Sequence, residues 1–155
     1  MTKEELDEIL RKHKLWLEDK DGGACADLHG AVLYCLELSH CDLAEANLSS
    51  ANLSGSIMSW CDLEEANLSG ADLAGSVMSW GDLGMANLCD TNLRGAKFFG
   101  TDLRSANLRG ADLRDADLVD ADLRRADLTG AKMYKYDAYG ASLTQRQRNS
   151  IIFCD

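Results

Sequence analysis

One position in every five fixes what this chain can fold into. From Leu28 to Leu143, each residue whose number leaves a remainder of three on division by five is leucine, except Met58, Met78, Phe98, Met133 and Ala138. That makes 24 successive units of five, spanning most of the 155 residues. Two residues before each of these the chain is almost always small, as at Ala26, Ala46, Ala66, Ala71, Ala106 and Ala111. The residue between is usually Asp or Asn, so the unit reads A(D/N)LXX. A period of five suits neither an amphipathic helix at 3.6 nor a strand at 2. Two inward residues per five, one large and one small, require a backbone that turns after each unit. The large residue fills a narrow interior and the small one lets the next wall approach.

A longer echo overlies the short one. SIMSWCDLEEANL (Ser56–Leu68) returns as SVMSWGDLGMANL (Ser76–Leu88), shifted by 20 residues with nine of thirteen positions identical. On these 24 A(D/N)LXX units the chain resembles the pentapeptide-repeat family. The resemblance implies an all-β solenoid, a right-handed quadrilateral parallel β-helix with four units to each square coil, hence about six coils over 26–145. Residues 20 apart then stack at about 4.8 Å, and six coils give a rod about 29 Å long. Met58 and Met78 become core residues, with Leu48, Leu53, Leu63, Leu68, Leu73, Leu83, Phe98 and Leu103.

A stacked rod leaves unpaired backbone only at its ends, and the ends need caps. Thr2-Lys3-Glu4-Glu5 fits a capping box. Leu6, Ile9, Leu10, His13, Trp16 and Leu17 follow at helical spacing, which predicts a helix over about 3–17 that covers the first coil. Asp19–Ala24 is the turn into the solenoid, so 1–25 reads as cap and linker. In the tail, 146–155, the apolar Ile151, Ile152 and Phe153 either cap the last coil or dock on another chain; the cap is the preferred reading. The whole is a single domain.

Stacking sorts the outward positions into columns. One column is Asp42, Asp62, Asp82, Asp102, Asp122; another is Asn47, Asn67, Asn87, Asn107. The Asn column reads as an amide ladder. Unit charges 4.8 Å apart repel by roughly 0.9 kcal/mol in water. Arg104 and Arg124 stand two residues after Asp102 and Asp122 and compensate them, whereas the stripe Asp42, Asp62, Asp82 has no such partner. These carboxylates read first as acceptors for nearby turn amides; a cation-binding or partner-binding stripe is the sharper reading, without the converging ligands of a Ca²⁺ loop.

A third side carries Ile57, Ser59 and Trp60, then Val77, Ser79 and Trp80, then Lys97 and Phe99. Outward positions elsewhere are Asp, Asn, Ser, Arg and Gly, so the apolar stripe Ile57, Trp60, Val77, Trp80, Phe99 stands out as a candidate protein contact. The alternatives are that the two indoles stack and stiffen the wall, or lie under the tail.

Charge narrows the function further. The net charge is −10, and between Lys20 and Arg94 there is no Lys or Arg but eleven Asp or Glu. From Arg94 to Lys135 there are nine basic and seven acidic residues. Direct nucleic-acid binding is not expected, because phosphates call for a clustered basic surface. With 46% apolar residues and no proline the chain does not read as disordered. No run suits a membrane span or a signal peptide, so a cytoplasmic protein is expected. The six cysteines read as free thiols, with Cys41 and Cys61 as small buried groups and Cys35 and Cys89 facing outward. No catalytic constellation, metal site or cofactor-binding loop is found, and flat faces offer no cleft to exclude water. The expectation is a non-enzymatic binding or scaffold module, with an unknown protein partner or a homo-oligomer; unlike half-charges on two rods give a salt-sensitive route to the latter. The resemblance implies an alternative: some family members mimic B-form DNA and bind DNA gyrase, and the acidic 21–93 half is compatible with that.

Overall fold

The computed structural model describes residues 1–155. Its main body is built from one short turn repeated along the chain. Within each unit the Asp/Asn position makes a single parallel bridge to the residue 20 further on, from Asp27–Asn47 to Asp112–Lys132. The Leu48 amide donates to the Asn67 carbonyl at 2.7 Å, and the Asn67 amide returns to the Ala46 carbonyl at 2.9 Å. Between bridges the chain turns a corner, closed by a bond such as Ala51 amide to Leu48 carbonyl at 3.1 Å. Every residue whose number is a multiple of five, from Gly30 to Gly130, holds a positive φ of 55–72° at that corner. Four corners complete a coil, so residues 20 apart fall into columns.

The interior follows from that register. Leu48, Leu53, Met58, Leu63, Leu68, Leu73, Met78, Leu83, Phe98 and Leu103 are all fully buried, with Ala46, Ala66, Ala86 and Ala106 between them. Two inward threonines donate to a carbonyl 23 residues back, Thr91 to Leu68 at 3.0 Å and Thr101 to Met78 at 2.8 Å, and inward Ser56 donates to Leu53 within its own turn at 2.6 Å. These three buried hydroxyls keep a partner, whereas that of Ser76 has none.

Helix α1, Lys3–Leu17, covers the first coil. Its capping box is complete, with the Thr2 hydroxyl accepting from the Glu5 amide and the Glu5 carboxylate from the Thr2 amide. Leu6 is buried, Ile9 and Leu10 pack on the core, and His13 is wholly enclosed. The imidazole Nδ1 accepts the Ala26 amide at 3.1 Å, which satisfies a donor at the open end of the first coil.

The regular coil ends sooner than the five-residue rhythm predicts. The rhythm extends the solenoid to 145, but strand β1, Lys132–Tyr134, is its last regular segment. Asp137–Tyr139 then form a 3-10 turn, and Gln145–Ser150 form helix α2. The cause is the end itself: beyond the last coil no further coil exists to take its backbone groups, so side chains take them. The Asp137 carboxylate accepts the amides of Tyr134 and Asp115 at 2.7 and 3.1 Å. The Gln147 amide donates to the Leu123 and Ala126 carbonyls at 2.7 and 3.2 Å. Strand β2, Ile152–Cys154, pairs with β1 in parallel at the same 20-residue offset, and Ile151 is buried. The tail therefore caps the rod and docks on its own chain. No helix is long and apolar enough to cross a membrane.

Candidate functional site

The aromatic side begins at the corners. His40, Trp60 and Trp80 occupy one corner column with φ of 62°, 62° and 63°, a region that bulky side chains rarely adopt. The next corner in the column is Gly100, and a Cβ there would meet the Trp80 ring at 2.6 Å. Glycine thus makes room for the indole to lie over the following coil.

Stacked coils bring the rings into register. The Trp60 and Trp80 rings are parallel within 12°, with centroids 5.6 Å apart. His40 extends the stack below Trp60 at 6.5 Å, and Phe99 meets Trp80 edge-on at 5.1 Å. The stack leaves Trp60 56% and Trp80 48% exposed, with Ile57 beside them at 42%. Val77 and Phe99 are half-buried, so the apolar stripe is contiguous but graded. The tail pairs with β1 at the far end of the rod, so it is not the cover for these rings. The sequence spacing placed the two indoles side by side. The same spacing sets His40 one coil before Trp60, where it reads as a surface residue; that its ring joins the stack, and that Gly100 admits Trp80, depend on how the rings tilt along the column.

The acidic side has a different chemistry. Each Asp accepts from the amide two residues on: Asp42 from Ala44 at 3.4 Å, Asp62 from Glu64 at 3.0 Å, and Asp82 from Gly84 at 2.8 Å. Asp102 and Asp122 do the same and also hold arginines, Arg104 Nε to Asp102 Oδ2 at 2.7 Å and Arg124 Nε to Asp122 Oδ1 at 2.9 Å. Burial works to raise the Asp102 carboxyl, but the Arg104 bonds outweigh it and leave it lowered; the Arg124 bonds lower Asp122. No basic side chain lies within ion-pair distance of Asp42, Asp62 or Asp82. Crowding shows in Glu64, whose carboxyl is raised first by Asp82, then by desolvation and by Asp62 and Glu65. No three His, Cys, Asp or Glu side chains converge to hold a metal ion.

The Asn column bonds along the rod, Asn87 to Asn67 at 3.2 Å and Asn107 to Asn87 at 3.1 Å. The cysteines are free. Cys61 is buried, but Cys41 is half-buried, because it lies at the rim beneath α1 rather than deep in the stack. Beside the Cys61 sulfur, the Cys41 thiol is held down at about 7, while Cys61 is pushed up by that neighbour and by burial. Cys35 is exposed, and Cys89 is half-buried against its own turn.

A family model described as pentapeptide repeats matches residues 24–59, 41–79, 71–110 and 106–145. Among solved structures, the pentapeptide repeat protein Rfr23 from the cyanobacterium Cyanothece 51142 is 28% identical. It matches with a TM-score of 0.57 over 79% of this chain and 92% of that one. A trypsin-treated variant of QnrB1, a plasmid-mediated fluoroquinolone resistance protein, is 18% identical. It matches with a TM-score of 0.50 over 85% of this chain and 77% of that one, a likeness of fold alone. A search of curated protein sequences found no match. The solenoid is a right-handed quadrilateral β-helix.

Proposed function

This chain belongs to the pentapeptide-repeat family, and we propose that it is a non-catalytic binding module that engages protein through the side bearing Ile57, Trp60, Val77, Trp80 and Phe99. The observation that carries this reading is the pair of stacked indoles, each about half exposed and uncovered by any part of the chain. Scattered apolar residues on a surface are ordinary, but a contiguous patch with two tryptophans is the composition of a contact centre. A stiff rod adds to this, because its side chains are held in place before binding and little ordering is left to oppose it.

The test is capture from lysate by wild type and by a Trp60→Ser, Trp80→Ser variant. A Glu64→Lys, Glu65→Lys variant controls for charge. Proteins retained by wild type and by the charge variant, and lost with the tryptophans, support the reading. Equal capture by all three removes it.

The uncompensated Asp42, Asp62, Asp82 stripe favours a second reading, a DNA-like surface for DNA gyrase. Against it, the Arg104 and Arg124 pairs interrupt the stripe halfway along the rod. Unaltered supercoiling by gyrase at micromolar protein is expected; inhibition or relief would move the function to the acidic side.

A further inference from the structure

Opposite charges flank the apolar levels of the aromatic side. Its middle column runs Glu37, Ile57, Val77, Lys97, Asp117, each bridged in parallel to the next, and the levels that flank the apolar pair are Glu37 and Lys97. Glu37 and Lys97 are exposed, and Lys97 has no ion-pair partner within the chain. The corner column beside it runs His40, Trp60, Trp80, Gly100. About the level midway between the Trp60 and Trp80 coils, apolar residues hold the two middle levels of both columns; Glu37 and Lys97 lie outside them in the first, His40 and Gly100 in the second.

A surface with this balance fits a second copy of itself in one direction only. Consider a two-fold axis lying in the plane of contact and perpendicular to the rod. It sets each column against the same column of the other copy, running in reverse. Ile57 then opposes Val77, Trp60 opposes Trp80, and Glu37 opposes Lys97, with every contact made twice. The parallel arrangement instead brings Glu37 to the level of Glu37 and Lys97 to the level of Lys97. Ligands that sandwich against an open aromatic face are a poorer fit, because the indole faces are already taken within the stack. What remains outward is ring edge, Ile57 and Val77, which suits a flat apolar apposition.

The geometry points to an antiparallel homodimer in which this side docks on its own copy, with reciprocal Glu37–Lys97 contacts fixing the direction. The inference rests on the reading of this side as the contact surface and supplies its occupant.

Molar mass by light scattering tests it with a charge swap in trans. Wild type is expected to run as a dimer. Glu37→Lys alone sets cation against cation, and Lys97→Glu alone sets anion against anion; each is expected to weaken self-association at least about tenfold, since opposed like charges are strongly disfavoured. An equimolar mixture of the two variants recovers the dimer, because one chain then presents two cations to the other's two anions. Both positions are exposed, and circular dichroism of each variant checks that the coil is intact. A monomeric wild type overturns the inference, as do single variants that dimerise like wild type, or a mixture that stays monomeric. A monomeric wild type that still captures another protein through Trp60 and Trp80 sinks the homodimer alone and leaves the binding reading standing. A dimer that survives Trp60→Ser, Trp80→Ser sinks both.

Discussion

Trp60 and Trp80 hold a backbone conformation that costs an L residue about 1–2 kcal/mol. Their mutual stacking returns roughly 0.5–1.5 kcal/mol. Two such corners cost about 2–4 kcal/mol, more than one stack returns, so stability alone does not account for tryptophan there. Trp60→Gly, Trp80→Gly, which removes both terms, is expected to be no less stable than wild type in urea. A loss of several kcal/mol would make the indoles part of the wall instead. His13 tells the opposite story, a polar ring committed to structure. Burial lowers its pKa, and Nδ1 is engaged as an acceptor for the Ala26 amide. The sign follows: the folded state prefers the neutral ring, so the stability is present above the unfolded value of about 6.5 and is lost as pH falls below it. The paired carboxylates Asp102, Asp112 and Asp122, also lowered, act only in the more acidic range below about 4. Denaturation midpoints should therefore drop between about pH 7 and pH 5 in wild type, and a His13→Gln variant should lose that slope. A His13→Gln variant with an unchanged slope would place its origin elsewhere.

At the level of elements, the two ends solve the same problem by different means. At one end a helix offers an imidazole to a free amide; at the other a glutamine offers its amide to two free carbonyls. Gln147→Ala leaves both carbonyls without that donor and is expected to cost about 1–3 kcal/mol. A urea midpoint equal to wild type would show that water replaces the bond at no cost. The coil and α1 were legible in the sequence because each rests on a period: five for the coil, near 3.6 for the Leu6, Ile9, Leu10, His13 face. The end of the coil was not legible. Ala138 and Leu143 keep the five-residue phase although the backbone has left it, since a buried apolar residue is as useful beneath a cap as within a coil. Helix α2 has no apolar stripe in QRQRNS and is held by its Thr144–Gln147 capping box, a signal that the repeat obscured.

For the whole molecule, the rod is a set of columns, and its sides differ in chemistry rather than in shape. Which residues share a side follows from division by 20, so the apolar stripe and the Asp stripe were both readable before any coordinates. How the rings lie was not, because that depends on corner conformation and on the space above Gly100. Along the aromatic side, Glu37 and Lys97 flank the apolar levels and direct two copies to lie in opposite senses. Raised salt should weaken that preference while leaving the apolar contact. The most direct measurement is the fluorescence of Trp60 and Trp80 themselves, in a Trp16→Phe variant that silences the third tryptophan. As protein concentration rises, emission should shift to the blue as the half-exposed indoles become covered, in step with the gain in mass. Emission that stays at the wavelength of a solvent-exposed indole at every concentration would contradict the docking of this side on its own copy.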